Sequence, residues 1–306
     1  MFFLYQIFCL IFLILSPFII ISRILIGKED PKRFKEKFCF FSKKSENRKT
    51  VWIHGASVGE ILSIIPIIKR FERDKKVKKI LITSSTTSSS VVLSKFKFKK
   101  AIHQYFPIDI NFLTKIFIKY WRPKLAIFVD SEIWPNMFKN LNKSKIPIIL
   151  LNARITKKSF KRWNYFPNFS KKIFQKITLA MPQNLETLKF LKIFGVKNIK
   201  LVGNLKYFGE NKKKSTNKNL RKKFFKKILW CAASTHNKEE LFIGKTHKEL
   251  KLKINNLITI IIPRHINRKD EIVSELSKIG LKTALHSSSD KIKSDTDVYL
   301  VDTYGE

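Results

Sequence analysis

VWIHGASVGEILSIIPII, residues 51–68, joins two apolar runs through two glycines, a serine and a glutamate. The first run is short and β-branched, as a buried strand should be, and the second is long enough for a helix. Between them Ser57-Val58-Gly59-Glu60 fits a capping box, in which the Ser57 hydroxyl takes the Glu60 amide and the Glu60 carboxylate bonds back. One βα unit is therefore predicted. What the carboxylate does stays open: it starts a helix, or it is presented for chemistry. Gly55 and Gly59 favour the second use, since they leave backbone bare for a ligand's approach.

The same alternation runs through the chain. VWIH (51–54), KILITSS (79–85), AIHQYFP (101–107), KLAIFVD (124–130), IPIILLNA (146–153) and IKLVGN (199–204) read as strands. Helical segments such as ILSIIPIIKRFERD and NLETLKFLKIFG separate them. After NKKKSTNKNLRKKFFKK (211–227), read as a solvated basic linker, come ILWCAAST (228–235), LITIIIPRH (257–265), LKTALHS (281–287) and DVYLVDT (297–303). Near-continuous apolar strands between helices predict parallel sheets covered on both faces. Two α/β units in tandem are expected, with no solenoid repeat and no GxGxxG fingerprint.

Ligands of such sheets gather beyond the carboxyl ends of the strands. Polar sets stand there: "GASVGE", "TSSTTSSS", "DSEIWPN", "NARIT", "GNLKY", "STH", "PRH" and "DTYGE". Asp130 and Glu132 could tune each other's acidity or cap the next helix, and the hydroxyl-rich turn 83–90 could cap a helix or bind an anion. Together these sets predict a site in a cleft between the two units.

Composition bounds the partners. The chain has 62 Lys+Arg against 23 Asp+Glu, a formal charge of +39, which suits anionic surfaces or phosphorylated ligands. Lys, Ile, Phe and Asn are abundant together, so compositional drift accounts for most of the excess. Cys9, Cys39 and Cys231 have neither CxxC nor metal-ligand spacing; a reduced compartment, no disulfide framework and no zinc site follow. Phe2 to Ile21 is nearly all apolar, broken by Tyr5, Gln6, Ser16 and Pro17, and about 20 residues can span a bilayer core. Arg23, Lys28, Lys32 and Arg33 follow it and no base precedes it, which keeps the bulk of the protein on the cytoplasmic side. Pro17 leaves open a bent, monotopic insertion.

The ordered set "HGASVGE", "FPID", "RPKLAIFVDSEIWPN", "IPIILLNARIT", "MPQN", "VGNLKY", "AASTHNKEE", "IIPRH" and "VDTYGE" resembles the Kdo transferases of lipopolysaccharide biosynthesis, Kdo being 3-deoxy-D-manno-octulosonic acid. The resemblance implies an α/β GT-B glycosyltransferase of two Rossmann-like domains, anchored at the cytoplasmic face of the cell inner membrane. It implies an anchor at 1–22, an acceptor-binding domain at 23–210, the linker at 211–227 and a partial nucleotide-sugar domain at 228–306. Kdo would pass from CMP-Kdo to a hydroxyl of the lipid A precursor, lipid IVA, with inversion and with no metal or other cofactor. By the family's motifs Glu60 is the proton acceptor, while Asp130, where the family has a longer acid, and Lys206 stabilise the transition state. Pro263, Arg264, Tyr304, Gly305 and Glu306 match the family's CMP site, and Ser234, Thr235 and His236 are assigned there less firmly. Members continue past "YGE" with a glycine-rich segment, so this stretch by itself is expected to lack part of the nucleotide site. The implied partners are CMP-Kdo, the lipid A precursor and an anionic membrane surface, with no specific nucleic acid. The rival readings are a membrane-tethered basic nucleic-acid binder and a GT-B enzyme using another nucleotide sugar.

Overall fold

Six parallel strands make the first sheet: β1 (Thr50–His54), β2 (Lys79–Ser84), β3 (Ala101–Tyr105), β4 (Pro123–Val129), β5 (Ile148–Ala153) and β6 (Leu179–Pro182), in the order β3-β2-β1-β4-β5-β6. The computed structural model describes residues 1–43, 45, 50–205, 224–288, 292, 293 and 295–303. The chain divides into two compact units, Met1–Glu210 and Asn211–Glu306.

Central β1 is buried at every position, which is why its sequence shows no polar face. Its side chains alternate between the two faces of the sheet. Trp52 joins Phe117, Phe128 and Leu150 in one core cluster, while Val51 and Ile53 join Ile61, Ile64 and Ile82 in the other. Helices cover both faces: α1 (Phe2–Leu25), α2 (Val58–Arg73), α3 (Thr87–Ser94), α4 (Asn111–Trp121), α5 (Pro135–Lys143), α6 (Lys157–Asn164), α7 (Pro167–Phe174) and α8 (Leu185–Ile193). This is the doubly wound order, and its direction reverses between β1 and β4. A crevice for ligands is expected at the carboxyl ends of those two strands.

One predicted strand is corrected. The run 199–204 supplies only an isolated bridge, Ile199 to Ala180, and the sixth strand is Leu179–Pro182. A four-residue segment ending in proline gives little sequence signal. It suffices at a sheet edge, where the missing N–H of Pro182 costs no ladder bond.

The N-terminal helix runs unbroken through Pro17. The carbonyl of Leu13, which proline leaves without its helical donor, accepts the Ser16 hydroxyl at 2.7 Å. The helix is long and apolar enough to cross a membrane, yet one face is docked on the first unit. Tyr5 donates to Asp109 at 2.7 Å, Phe2 packs on Phe169, and Cys9, Ser16 and Ile20 are buried. The opposite face presents Phe3, Ile14 and Phe18, each 72% exposed.

The second sheet is also parallel: β7 (Ile228–Thr235), β8 (Leu257–Pro263), β9 (Thr283–Leu285) and β10 (Val298–Leu300), in the order β7-β8-β10-β9. Helices α9 (Glu239–Lys251) and α10 (Lys269–Lys278) accompany it. Gly244 lets them meet closely, because a Cβ there would lie 2.7 Å from Leu276. Of the predicted linker only 224–227 are described, and they lead into β7; the rest lies outside the described residues.

Candidate active site

Residues from both sides of the switch point meet at the ends of β1 and β4. His54, the last residue of β1, is fully buried, and its ring stacks on Phe106 at 3.9 Å. Its Nδ1 lies 2.9 Å from the Thr83 hydroxyl, at the end of neighbouring β2, and its Nε2 lies 3.1 Å from Glu132 Oε2. A carboxylate only accepts, so Nε2 carries the hydrogen. The same Glu132 oxygen accepts the Trp134 indole N–H at 2.9 Å. Thr83 also accepts the indole N–H of Trp52 at 2.9 Å. The imidazole is thereby fixed in place and in orientation.

Beyond His54 the chain turns into α2. Ser57 is the N-cap, and Glu60 lies half-buried in the first turn. The predicted capping box needs one correction. The Ser57 hydroxyl accepts the Glu60 amide only at 3.4 Å, and the Glu60 carboxylate reaches past Ser57 to the Ala56 amide at 2.7 Å. Its other oxygen accepts the Ser57 hydroxyl at 2.8 Å. Gly55 allows this return, since a Cβ there would sit 3.2 Å from the Glu60 Cβ, while a Cβ on Gly59 would meet open space. The two glycines thus do different things: one admits the glutamate, the other leaves room before it.

Burial pushes the Glu60 carboxyl above the ordinary carboxylate range. The Ser57 and Ala56 hydrogen bonds oppose that push, and the charges of Glu132 and Asp130 add to it. Asp130 follows β4 in the left-handed region, φ +63°, with its amide donating to Leu151 and its carbonyl accepting from Arg154. Such backbone at a strand end re-aims the next residues.

Neither Asp130 nor Glu132 caps α5. Asp109 of "FPID" does so from another loop, accepting the Asn136 amide at 3.0 Å and the Met137 amide at 2.7 Å. Burial pushes the Asp109 carboxyl up to about 6, against these bonds. The hydroxyl-rich turn does cap: Thr86 accepts the Ser89 amide at the start of α3. At the end of β5, Asn152 (φ +52°) holds the Leu205 amide at 3.0 Å. Lys206, the next residue, lies outside the described residues.

In the second unit the expected nucleotide-site residues converge on two neighbouring strand ends. Ser234 (φ +64°), Thr235 and His236 close β7; Pro263 and Arg264 close β8, and the Arg264 amide donates to the Thr235 carbonyl at 2.9 Å. The Arg264 side chain is exposed. Thr235 donates to the fully buried Glu240 at 2.9 Å, and Arg268 pairs with Glu240 at 3.1 Å while its fork also grips Glu271. Tyr304, Gly305 and Glu306 lie outside the described residues. Sequence reading missed His54 and Glu132 as a bonded pair. Their signal was a histidine ending one strand and a second carboxylate after another, and only the β1–β4 adjacency joins them.

Two parallel α/β units with a carboxylate poised at the first sheet's switch point define a glycosyltransferase-type GT-B fold. Residues 32–208 match the family described as 3-deoxy-D-manno-octulosonic-acid transferase (kdotransferase). A curated 3-deoxy-D-manno-octulosonic acid transferase of Rickettsia bellii is 34% identical over 292 residues, covering 94% of this chain and 69% of that protein. The one from Haemophilus influenzae is 28% identical, covering 96% of this chain and 71% of its own length. Among solved structures, a UDP-GlcNAc 2-epimerase from Neisseria meningitidis superposes with a TM-score of 0.55 at 15% identity, over 84% of this chain and 73% of that one, a likeness of fold. The chain belongs to the Kdo transferase family.

Proposed function

We propose that this protein moves Kdo from CMP-Kdo to a hydroxyl of lipid IVA, with inversion, and that Glu60 is the base. The observation that carries the reading is the Glu60 carboxylate at the switch point, its acidity weakened by burial and by two neighbouring carboxylates. Glu60 takes the proton of the acceptor hydroxyl. The acceptor oxygen bonds to the anomeric carbon from the face opposite the nucleotide. The bond from that carbon to the CMP phosphate oxygen breaks, and CMP leaves with the electron pair.

Positive charge builds on the sugar as that bond breaks. Asp130 answers it, and Lys206 answers the anionic charge of phosphate or carboxylate. The Arg264 fork and the backbone around Pro263, with Ser234, Thr235 and His236, take the CMP phosphate at the second unit's strand ends; Tyr304, Gly305 and Glu306 complete that nucleotide site. No metal or other cofactor is needed for this route. The α1 helix anchors the protein at the cytoplasmic face of the inner membrane. With one face docked along its length, it lies in the interface, its outer phenylalanines in the acyl region and the lysine-rich surface on anionic headgroups.

The test is the mass of lipid IVA after incubation with CMP-Kdo and the protein, beside its Glu60→Gln variant. A Kdo-sized increment that disappears in the variant supports the reading. Transfer at an undiminished rate in the variant returns Glu60 to helix capping alone.

A further inference from the structure

Beside α1 the first unit holds a cavity of 330 Å³ and next to it a second of 180 Å³, with Phe12, Ile108, Asp109 and Trp134 lining both. The two lie along α1 between Tyr5 and Arg23, with that helix on one side and the carboxyl-end loops of the sheet on the other. The larger has the size of a small-ligand site. Phe12, Ile19, Ile20 and Ile108, with Phe106, Pro107 and Trp134, give it a largely apolar wall.

One end is polar and incompletely satisfied. Glu29, 3% exposed, lines the larger cavity, and its Oε2 is held by Arg23 at 3.2 Å and Lys37 at 2.6 Å. Its Oε1 is buried and has no hydrogen-bond partner among the described residues.

The wall adjoins the candidate site. Phe106 lines the cavity and stacks on His54, and Trp134 lines it and bonds Glu132. Ser85, also in the lining, donates its amide to Ala56, whose own amide holds Glu60. A molecule in the cavity is thus one side chain, Trp134, from Glu132, and Ser85 and Ala56 connect the wall to Glu60.

We infer that this cavity is an acyl-chain subsite: one chain of the lipid acceptor enters beneath α1. This rests on the proposed lipid acceptor. The occupant follows from position, because the helix on one side is the same one whose outer face is apolar, so a chain passes from bilayer to cavity without crossing water. Holding the chain there orients the headgroup hydroxyl toward Glu60. It also makes acylation a requirement for efficient transfer.

Ser16 faces the cavity and is 2% exposed, so Ser16→Phe fills it. The measurement is kcat/KM for lipid IVA relative to a short-chain analogue with the same headgroup. The ratio is expected to fall about tenfold in the variant, from the methylenes it displaces; an unchanged ratio overturns the subsite. Should Ser16→Phe not fold, lipid IVA bearing a mid-chain diazirine is photolysed with the wild-type protein and the adducts are mapped by mass spectrometry. Adducts on Phe12, Ile19 or Ile108 support the subsite. Adducts confined to Phe3, Ile14 and Phe18 place the chain in the bilayer and overturn it. A wild-type protein that transfers no Kdo to either acceptor refutes the proposed reaction instead, and the adduct map still decides the cavity.

Discussion

Glu60 in the first unit and Glu240 in the second stand in the opening turns of the helices that follow β1 and β7, and they have opposite surroundings. Around Glu60 are an amide, a hydroxyl and the charges of Glu132 and Asp130. Around Glu240 are the Thr235 hydroxyl and the Arg268 guanidinium, which is itself braced on Glu271. Burial, with the neighbouring carboxylates adding to it, makes Glu60 hold its proton more tightly, as the proposed base requires. A carboxylate bonded to a hydroxyl and a guanidinium ties the end of β7 to the segment that leads into α10. The residue type is the same; the neighbours assign the work. Each sheet nonetheless has a non-glycine residue at positive φ at a strand end, Asp130 after β4 in the first and Ser234 in β7 in the second.

Removing the two carboxylates tests this contrast most severely. Glu60→Gln should keep the fold and lower kcat about 10²–10⁴-fold, the typical worth of a general base, measured by transfer to lipid IVA at saturating donor. Glu240→Ala should act on stability, costing the second unit about 2–4 kcal/mol by leaving Arg268 with half its partners. Denaturant unfolding reads that loss, and an unchanged midpoint would mean the pair is dispensable.

The charge of Glu132 sharpens the comparison further. Its negative charge raises the Glu60 pKa, so Glu132→Gln should lower it. Since the base works deprotonated, the acidic limb of the kcat–pH profile should move to lower pH, and a shift upward would reverse the assigned coupling. The smallest effect expected is that of Gly59→Ala. A Cβ there meets nothing, so stability should change by less than about 1 kcal/mol. The acceptor KM should nevertheless rise severalfold, because the methyl occupies the approach to Glu60.

Much of the fold was legible because a strand buried on both faces has to be apolar throughout. β1, β2, β4, β5 and β8 carry that mark, whereas β7, equally apolar in sequence and expected to be covered, is largely exposed at the edge of its sheet. β6 did not, because LAMP is four residues ending in proline and is held by its edge position. The site was legible in part. "SVGE" announced both a cap and a carboxylate, and the structure has Glu60 bonded to the Ala56 amide instead of closing the ordinary box. The capping of α5 by Asp109 spans 27 residues of sequence and has no local signal.

What the sequence alone determined is the alternation of strands and helices, the apolar N-terminal helix and the family, since each is written in local composition and in the order of short motifs. Tertiary structure decided which strand ends are neighbours. Placing β4 beside β1 brings Glu132 to His54 across 78 residues, sets the charges of Glu132 and Asp130 near Glu60 and lays α1 over the same loops. A carboxylate's acidity depends on burial and on charges a few ångströms away, and those distances exist only once the chain has folded.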